Sequence, residues 1–371
     1  MLPLLVEGSV KNIHGIKDQK PYVFDFSNRY SVFDWGAMPD QLENKGKALS
    51  YMAGLFFDLL ASPQTWTKWK PKGMNPQMEN LLKVFQENGL KSHFLSFKKL
   101  EDQVTSMIEV EPVKVLRPAF VEKNWDYSVY KERPTKTLVP LEFIFRFGMP
   151  KGSSLMKRVK DKKYLEELGL HDEPCFGDEF SQPIVEFSTK LEPSDKYLSY
   201  PEAREIANLS ELEFERILNT VKVVAMRLRD IFQDIDIKLW DGKFEFAFDE
   251  MIDGERQFMI VDSIGPDELR LTKNGIPLSK ENLRLFYRDG VWHQSVEQAK
   301  ELASKRKEKD WKRICLEELG QSPSQLEEEF KQHAEGIYTG LANALATKFY
   351  DEKPFKNSKT LTEVMNFFKE Y

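Results

Sequence analysis

The segment Lys243-Phe244-Glu245-Phe246-Ala247-Phe248 alternates charged or small residues with phenylalanines at period two, and only an extended strand separates such a set onto two faces. Phe244, Phe246 and Phe248 then turn to a core, while Lys243 and Glu245 share the opposite face. Asp253-Gly254 is a pair favoured in two-residue hairpin turns, and residues 257–261 read as the return strand, with Asp262 at its end. A two-residue turn fixes the register and predicts Glu245 opposite Asp262. Directly opposed residues have Cβ atoms about 4.5–5.5 Å apart, so two carboxylates there repel unless a cation lies between them. Mg²⁺ prefers carboxylate and phosphate oxygens and suits such a pair beside a nucleotide. The simpler alternative is a solvated hairpin face whose carboxylates splay into water.

The 371 residues suggest about two domain-sized bodies, and 41% hydrophobic residues can fill a large core. The 54 Lys and Arg against 60 Asp and Glu leave a net charge of −6, so no overall basic field draws nucleic acid or anionic lipid. An anionic ligand must find a local basic pocket. Cys175 and Cys315 match neither a disulfide framework nor a zinc pattern. No run approaches the ~18 apolar residues of a membrane span, and the opening residues lack the basic and apolar regions of a signal peptide. The expectation is a cytoplasmic protein with no nucleic-acid or membrane partner.

Aromatic and β-branched content predicts a strand at Tyr22–Phe26, and apolar spacing predicts helices at 47–60 and 77–87. Residues 62–75 and 117–137 lack periodicity and read as long loops or insertions. A strand is predicted at 139–147, a charged surface excursion at 151–180, and two helices between 200 and 232 with a break near 208–211. Strands are predicted at 235–240, 243–248 and 257–261. Beyond Gly290 the pattern is helical to about 349, and residues 354–359 link it to a last short helix. Helices followed by consecutive hairpin strands predict an α+β fold with segregated elements.

Two further constellations have candidate chemistry. Gly8-Ser9-Val10-Lys11 is a small-residue turn followed by a lysine, as a loop covering phosphates needs; a short glycine turn with a surface lysine is the plainer reading. Arg146 is centred in an apolar strand with Gly152-Ser153-Ser154 beyond it, and is either an ion-paired structural residue or a fixed anion ligand.

Taken in order, these segments resemble the SAICAR synthetase family (phosphoribosylaminoimidazole-succinocarboxamide synthases). The resemblance runs through Gly8-Ser9-Val10-Lys11, Asn28-Arg29-Tyr30-Ser31-Val32-Phe33-Asp34 and Lys45-Gly46. It continues through Pro140-Leu141-Glu142 to Arg146, Gly152-Ser153, Pro183-Ile184, Thr189-Lys190 and Asp195. Asp241 to Phe246, Asp262, Pro266-Asp267, Arg270 and Arg288-Asp289 complete it. Departures from the family pattern stand at Ser9, Asn28, Ser194, Ala247, Ser263 and Thr272.

The resemblance implies a two-lobed α+β fold with antiparallel sheets and ATP between the lobes. Residues 1–115 would be the nucleotide-covering lobe, 116–290 the larger ATP and substrate lobe, and 291–371 a helical region packed on the larger lobe or forming a homo-oligomer contact. The implied activity joins L-aspartate to the carboxylate of 5-amino-1-(5-phosphoribosyl)imidazole-4-carboxylate with consumption of ATP. Gly8, Ser9, Lys11, Lys190, Lys243, Glu245 and Asp262 would bind ATP, with Glu245 and Asp262 holding Mg²⁺. Asp34, Arg146, Ser153, Arg270 and Arg288 would bind the ribonucleotide, and Lys243, Asp241 and Asp267 are the implied catalytic groups. The departures at Ser9 and Ser194 leave one alternative, a ligase for another heteroaromatic carboxylate; a second, against which Lys243, Glu245 and Asp262 together argue, is a weakly catalytic nucleotide-binding protein whose C-terminal helices bind a partner.

Overall fold

The computed structural model of the chain describes residues 2–8, 10–97 and 104–371. Its first sheet is antiparallel and contains β1 (Leu4–Glu7), β2 (Lys11–His14), β3 (Tyr22–Phe26), β4 (Phe94–Phe97) and β5 (Met107–Val110), in the order β1-β2-β3-β5-β4. Helices α1 (Lys45–Ala61), α2 (Pro63–Thr67) and α3 (Pro76–Asn88) connect β3 to β4. α1 buries Leu49, Met52, Ala53, Phe56 and Leu60, and its first turn runs so close to β3 that a Cβ on Gly46 would lie 2.2 Å from the Phe26 carbonyl oxygen. The Gly46 N–H donates to Asn28 Oδ1 at 3.0 Å.

A small hairpin, β6 (Ala119–Val121) and β7 (Asn124–Asp126), lies in the insertion before the second sheet. That sheet comprises β8 (Thr137–Leu138), β9 (Leu141–Gly148), β10 (Glu179–Thr189), β11 (Tyr197–Leu198), β12 (Lys238–Ile252), β13 (Glu255–Val261), β14 (Leu269–Lys273) and β15 (Ile276–Pro277). The main order is β11-β10-β9-β12-β14-β15, with β8 and β13 on the far half of β12. Helices α4 (Lys162–Leu168), α5 (Tyr200–Ala207) and α6 (Glu211–Gln233) precede β12. Ser199 and Ser210 open α5 and α6 with capping boxes to Glu202 and Glu213, and left-handed Asn208 closes α5; the expected break falls there. The inner sheet face is aromatic, with Phe143 against Phe246 at 5.0 Å and Phe145 against Phe244 at 4.7 Å between ring centres.

Several sequence expectations change. β12 is one strand instead of two, because Asp241-Gly242 makes no turn: Gly242 lets Leu269 and Phe145 pack where a Cβ would meet them at 2.5 and 2.7 Å. The hairpin begins in the expected register, with Ile252 facing Glu255, but a β-bulge between Phe248 and Met251 shifts it, and Glu245 faces Val261 instead of Asp262. The stretch 151–180 carries α4 and a satellite core of Met149, Leu155, Val159, Leu168 and Ile184.

Beyond residue 280 come α7 (Glu281–Tyr287), α8 (Val291–Arg306), α9 (Trp311–Arg313), α10 (Glu328–Tyr350) and α11 (Leu361–Glu370). They do not stay on the larger lobe: α10 packs against α1, and Trp292 of α8 meets Trp35 edge-on at 5.3 Å. Bulky aromatics at both positions draw these helices across the seam between the sheets. Backbone bonds cross the seam as well, from His93 N–H to Ile260 C=O at 3.1 Å and from Ile260 N–H to Lys91 C=O at 3.0 Å. Among the described residues, no helix is long and apolar enough to cross a membrane.

Glu213, fully buried at the start of α6, accepts from Arg256 Nε at 2.9 Å and Nη2 at 2.7 Å, and from the Arg256 backbone N–H at 2.7 Å. Burial alone would raise its carboxyl pKa, but these bonds and the guanidinium charge hold it down at about 2. Its contribution to stability is therefore complete above its unfolded value of 4.5 and is lost as pH falls toward 2. Glu213→Gln is expected to destabilise the protein by on the order of 3 kcal/mol and to flatten the acid limb in that window, as checked by denaturant unfolding at a series of pH values.

Candidate active site between the two sheets

Period-two alternation along β12 puts Asp241, Lys243 and Glu245 on the face opposite the phenylalanines. β9 pairs with it in register, Asp241 to Arg146 and Lys243 to Ile144, and so brings Glu142 and Arg146 to the same face. The result is a row of interleaved opposite charges. Lys243 Nζ donates to Glu142 Oε1 at 2.5 Å, Lys190 Nζ to Glu245 Oε1 at 2.5 Å and to Glu142 Oε1 at 3.4 Å, and Ser188 Oγ to Glu142 Oε2 at 3.2 Å. Burial opposes charge at Lys243, yet Glu142 and Glu245 push its pKa up to about 12. Burial likewise opposes the Glu142 carboxylate, and the two lysines hold its pKa below the ordinary value. Both groups remain charged near neutral pH.

Lys11 reaches across from the first sheet and pairs with Asp262. Asp262 follows β13 in a left-handed conformation, φ 71°, and its carbonyl accepts from His93 Nε2 at 3.1 Å. Burial, with the nearby Lys11 charge, lowers the His93 pKa to about 3, so the ring is neutral with its proton on Nε2. Among the described residues no cluster of three or more His, Cys, Asp or Glu could hold a metal ion. Glu245 and Asp262 offer only carboxylate oxygens, the donor type that Mg²⁺ prefers, and each is paired with a lysine, Glu245 with Lys190 and Asp262 with Lys11.

Beside this row lies a cavity of about 300 Å³ lined by Glu142, Arg146, Ser154, Asp195, Tyr197, Asp241, Lys243, Asp267, Glu268, Arg270, Lys280, Glu281 and Arg284 among others. Arg146, 3% exposed, is fully engaged: Nε on Glu186, Nη1 on Asp241 Oδ2 at 2.9 Å and Nη2 on Ser154 Oγ at 3.0 Å. It is ion-paired and on the wall at once. Arg270 keeps Nε 3.6 Å from Asp241 Oδ1, but among the described residues its buried Nη1 has no hydrogen-bond partner, and neither has the buried Oγ of Ser153. Unpaired buried donors are costly, and an anion in the cavity would satisfy that of Arg270, which lines it; Ser153 is not among the lining residues.

Other sequence-predicted residues stand differently. Asp241 and Asp267 line the cavity with their carboxylates already engaged, Asp267 by Lys45 Nζ at 2.7 Å and Tyr338 Oη at 2.8 Å. Asp34 is largely exposed and pairs with Lys300 at 3.0 Å. Arg288 caps α7 and pairs with Glu281 at 2.7 Å, outside the cavity wall, whereas Arg284, one turn earlier, is on it. Gly8 closes the β1–β2 turn, donating to the Lys11 carbonyl at 3.0 Å while its own carbonyl accepts from Arg29 Nη2 at 2.8 Å. Ser9 lies outside the described residues.

Sequence reasoning missed Glu142, His93, Lys45, Lys280, Arg284 and Tyr338 as site groups. Glu142 was detectable, being four residues from Arg146 on one strand and so on the same face. Lys280 and Arg284 have the i, i+4 spacing of one helix face. His93, Lys45 and Tyr338 arrive only through tertiary packing.

The SAICAR synthetase family model matches residues 4–299. A protein of Archaeoglobus fulgidus, provisionally named a phosphoribosylaminoimidazole-succinocarboxamide synthase, is 36% identical over 366 residues, covering 94% of this chain and 96% of that one. The phosphoribosylaminoimidazole-succinocarboxamide synthase of Thermoplasma volcanium is 30% identical over 310 residues, covering 81% of this chain and 88% of that one. Among solved structures, SAICAR synthase of Saccharomyces cerevisiae complexed with SAICAR aligns with a TM-score of 0.57 at 19% identity, over 93% of this chain and 94% of that one. A type-2 SAICAR synthetase in complex with ADP aligns with a TM-score of 0.51 at 21% identity, over 87% of this chain and all of that one. The fold is theirs, and the chain belongs to the SAICAR synthetase family, whose enzymes catalyse ATP-dependent aspartate ligation in purine biosynthesis.

Proposed function

We propose that this chain is a cytoplasmic enzyme that joins L-aspartate to the carboxylate of 5-amino-1-(5-phosphoribosyl)imidazole-4-carboxylate, with ATP converted to ADP and phosphate. One observation carries the reading: β12 aligns Asp241, Lys243 and Glu245 on a single face, with the lysine and carboxylate row at one end and the anion cavity at the other. Nucleotide phosphates lie along Lys11, Lys190 and Lys243 between the lobes, with residues 1–115 as the covering side. The ribonucleotide occupies the cavity, where Arg270 Nη1 offers a donor that has no partner among the described residues.

The chemistry explains the residue types. A carboxylate is a poor acyl donor because oxide is a poor leaving group, so its oxygen first attacks the γ-phosphorus and ADP departs. The aspartate amine then attacks the acyl carbon and phosphate leaves. Lys243 sits where the two halves meet. With its pKa at about 12 it stays protonated, so it stabilises developing negative charge and does not act as a base. Glu245 and Asp262 would hold Mg²⁺, which would supply charge neutralisation for the nucleotide phosphates. Asp241, fixed between Arg146 and Arg270, holds both guanidinium groups in place.

Incubation with ATP, Mg²⁺, L-aspartate and a panel of imidazole carboxylates tests the reading, with ADP and product mass both recorded. Aspartate-dependent ADP release with the aminoimidazole ribonucleotide is expected; turnover only with another acid or amine contradicts it. Arg270→Lys is expected to raise the KM for the ribonucleotide at least tenfold, about 1.4 kcal/mol, because lysine cannot reproduce a planar donor fork. Arg288→Lys is expected to leave that KM within about twofold, in keeping with its surface pair to Glu281.

A further inference from the structure

α10 lies beyond the matched stretch 4–299, yet one of its side chains reaches the cavity wall. Tyr338 is 1% exposed, and its Oη donates to Asp267 Oδ1 at 2.8 Å. The other oxygen, Oδ2, accepts from Lys45 Nζ at 2.7 Å, and that fully buried ammonium lies 5.1 Å from the centre of the Tyr338 ring. Three segments distant in sequence thus meet on one carboxylate: the first residue of α1, the turn before β14, and the middle of α10. The Glu43 N–H donates to Glu335 Oε1 at 2.7 Å, tying the approach to α1 to the turn of α10 just before Tyr338.

A phenylalanine would fill the same volume, so packing does not require the hydroxyl. A buried phenol needs an acceptor, and a hydrogen bond to a carboxylate is among the stronger kinds. With both oxygens engaged, Asp267 has little capacity left to take a proton from substrate. What it does is hold its own segment. Glu268 and Leu269 N–H both donate to the Gly265 carbonyl at 3.1 and 3.0 Å, and the next residue is Arg270, whose Nη1 is unpartnered among the described residues.

We propose that Tyr338 is a positioning residue for the ribonucleotide: with Lys45 it clasps Asp267, and through Asp267 it sets the 267–270 wall that presents Arg270 to the substrate. The proposal rests on reading the cavity as the ribonucleotide site. In the full chain, Tyr338→Phe is expected to raise both the KM and the calorimetric Kd for the aminoimidazole carboxylate ribonucleotide about five- to tenfold, with the KM for ATP and kcat within twofold. Tyr350→Phe, near the exposed end of the same helix, is expected to change none of these. Ribonucleotide constants within twofold of the parent overturn the proposal, as does a KM for ATP that rises in equal proportion, the mark of general loosening. A measurement on the unmodified protein stands beside the variant: ribonucleotide binding is expected to slow amide exchange at residues 335–341 together with 265–270, and no change in α10 overturns the proposal. A parent that neither binds nor turns over the ribonucleotide overturns the functional reading and this proposal with it; a parent that does, beside an unchanged Tyr338→Phe, overturns this proposal alone.

Discussion

The site depends on one arrangement: ammonium and carboxylate groups alternating on the outer face of a sheet whose inner face is packed with phenylalanine. Removing such charges from water is expensive, and each pair must regain that cost through close contact. Lys243 and Glu142 do so at 2.5 Å, and the row extends through Lys190 to Glu245. The aromatic face keeps the strands from shifting, since a slip of one residue would turn Phe244 and Phe246 outward and the charges inward. Core packing therefore fixes the positions of the charges to which the proposed function assigns the nucleotide, and preorganised charge is where most electrostatic catalysis originates.

The second dependence is the seam between the sheets. Lys11 belongs to the first sheet and Asp262 to the second, so their contact exists only while the lobes keep their spacing. Two buried polar groups maintain it. His93 bonds to the backbone of Ile260 and to the Asp262 carbonyl, and Asp267 is held from both α1 and α10. The C-terminal helices bridge the seam on the outside, with Trp292 and Trp35 in contact.

Much of this was legible in the sequence for physical reasons that apply unevenly. Period-two alternation identified the inner and outer faces of β12, and the strand Tyr22–Phe26 and the break between α5 and α6 followed from residue types with strong local preferences. The register failed at Glu245 because a bulge depends on contacts across strands, and no local pattern announces it. Gly242 fell in the gap between two predicted strands but serves close packing against Phe145 and Leu269 within one. In 62–75, aperiodic sequence concealed α2 and a fully buried Trp66, whose Nε1 donates to the Leu60 carbonyl. Family resemblance brought Arg146, Lys190, Lys243 and Arg270 into view together. It gave Arg288 the weight that the structure gives to Arg284, because one helical turn separates them and only the fold tells which side of α7 faces the cavity.

The proposed function requires Glu245, paired with Lys190 at 2.5 Å, to exchange that partner for a metal ion when nucleotide binds. Calorimetric titration of ATP with and without Mg²⁺, in the parent and in Glu245→Gln, tests it most directly. Mg²⁺ is expected to tighten ATP binding at least tenfold in the parent, about 1.4 kcal/mol. In Glu245→Gln that gain falls to threefold or less, while the metal-free affinity stays within about threefold of the parent. An equal gain from Mg²⁺ in both proteins would contradict the account.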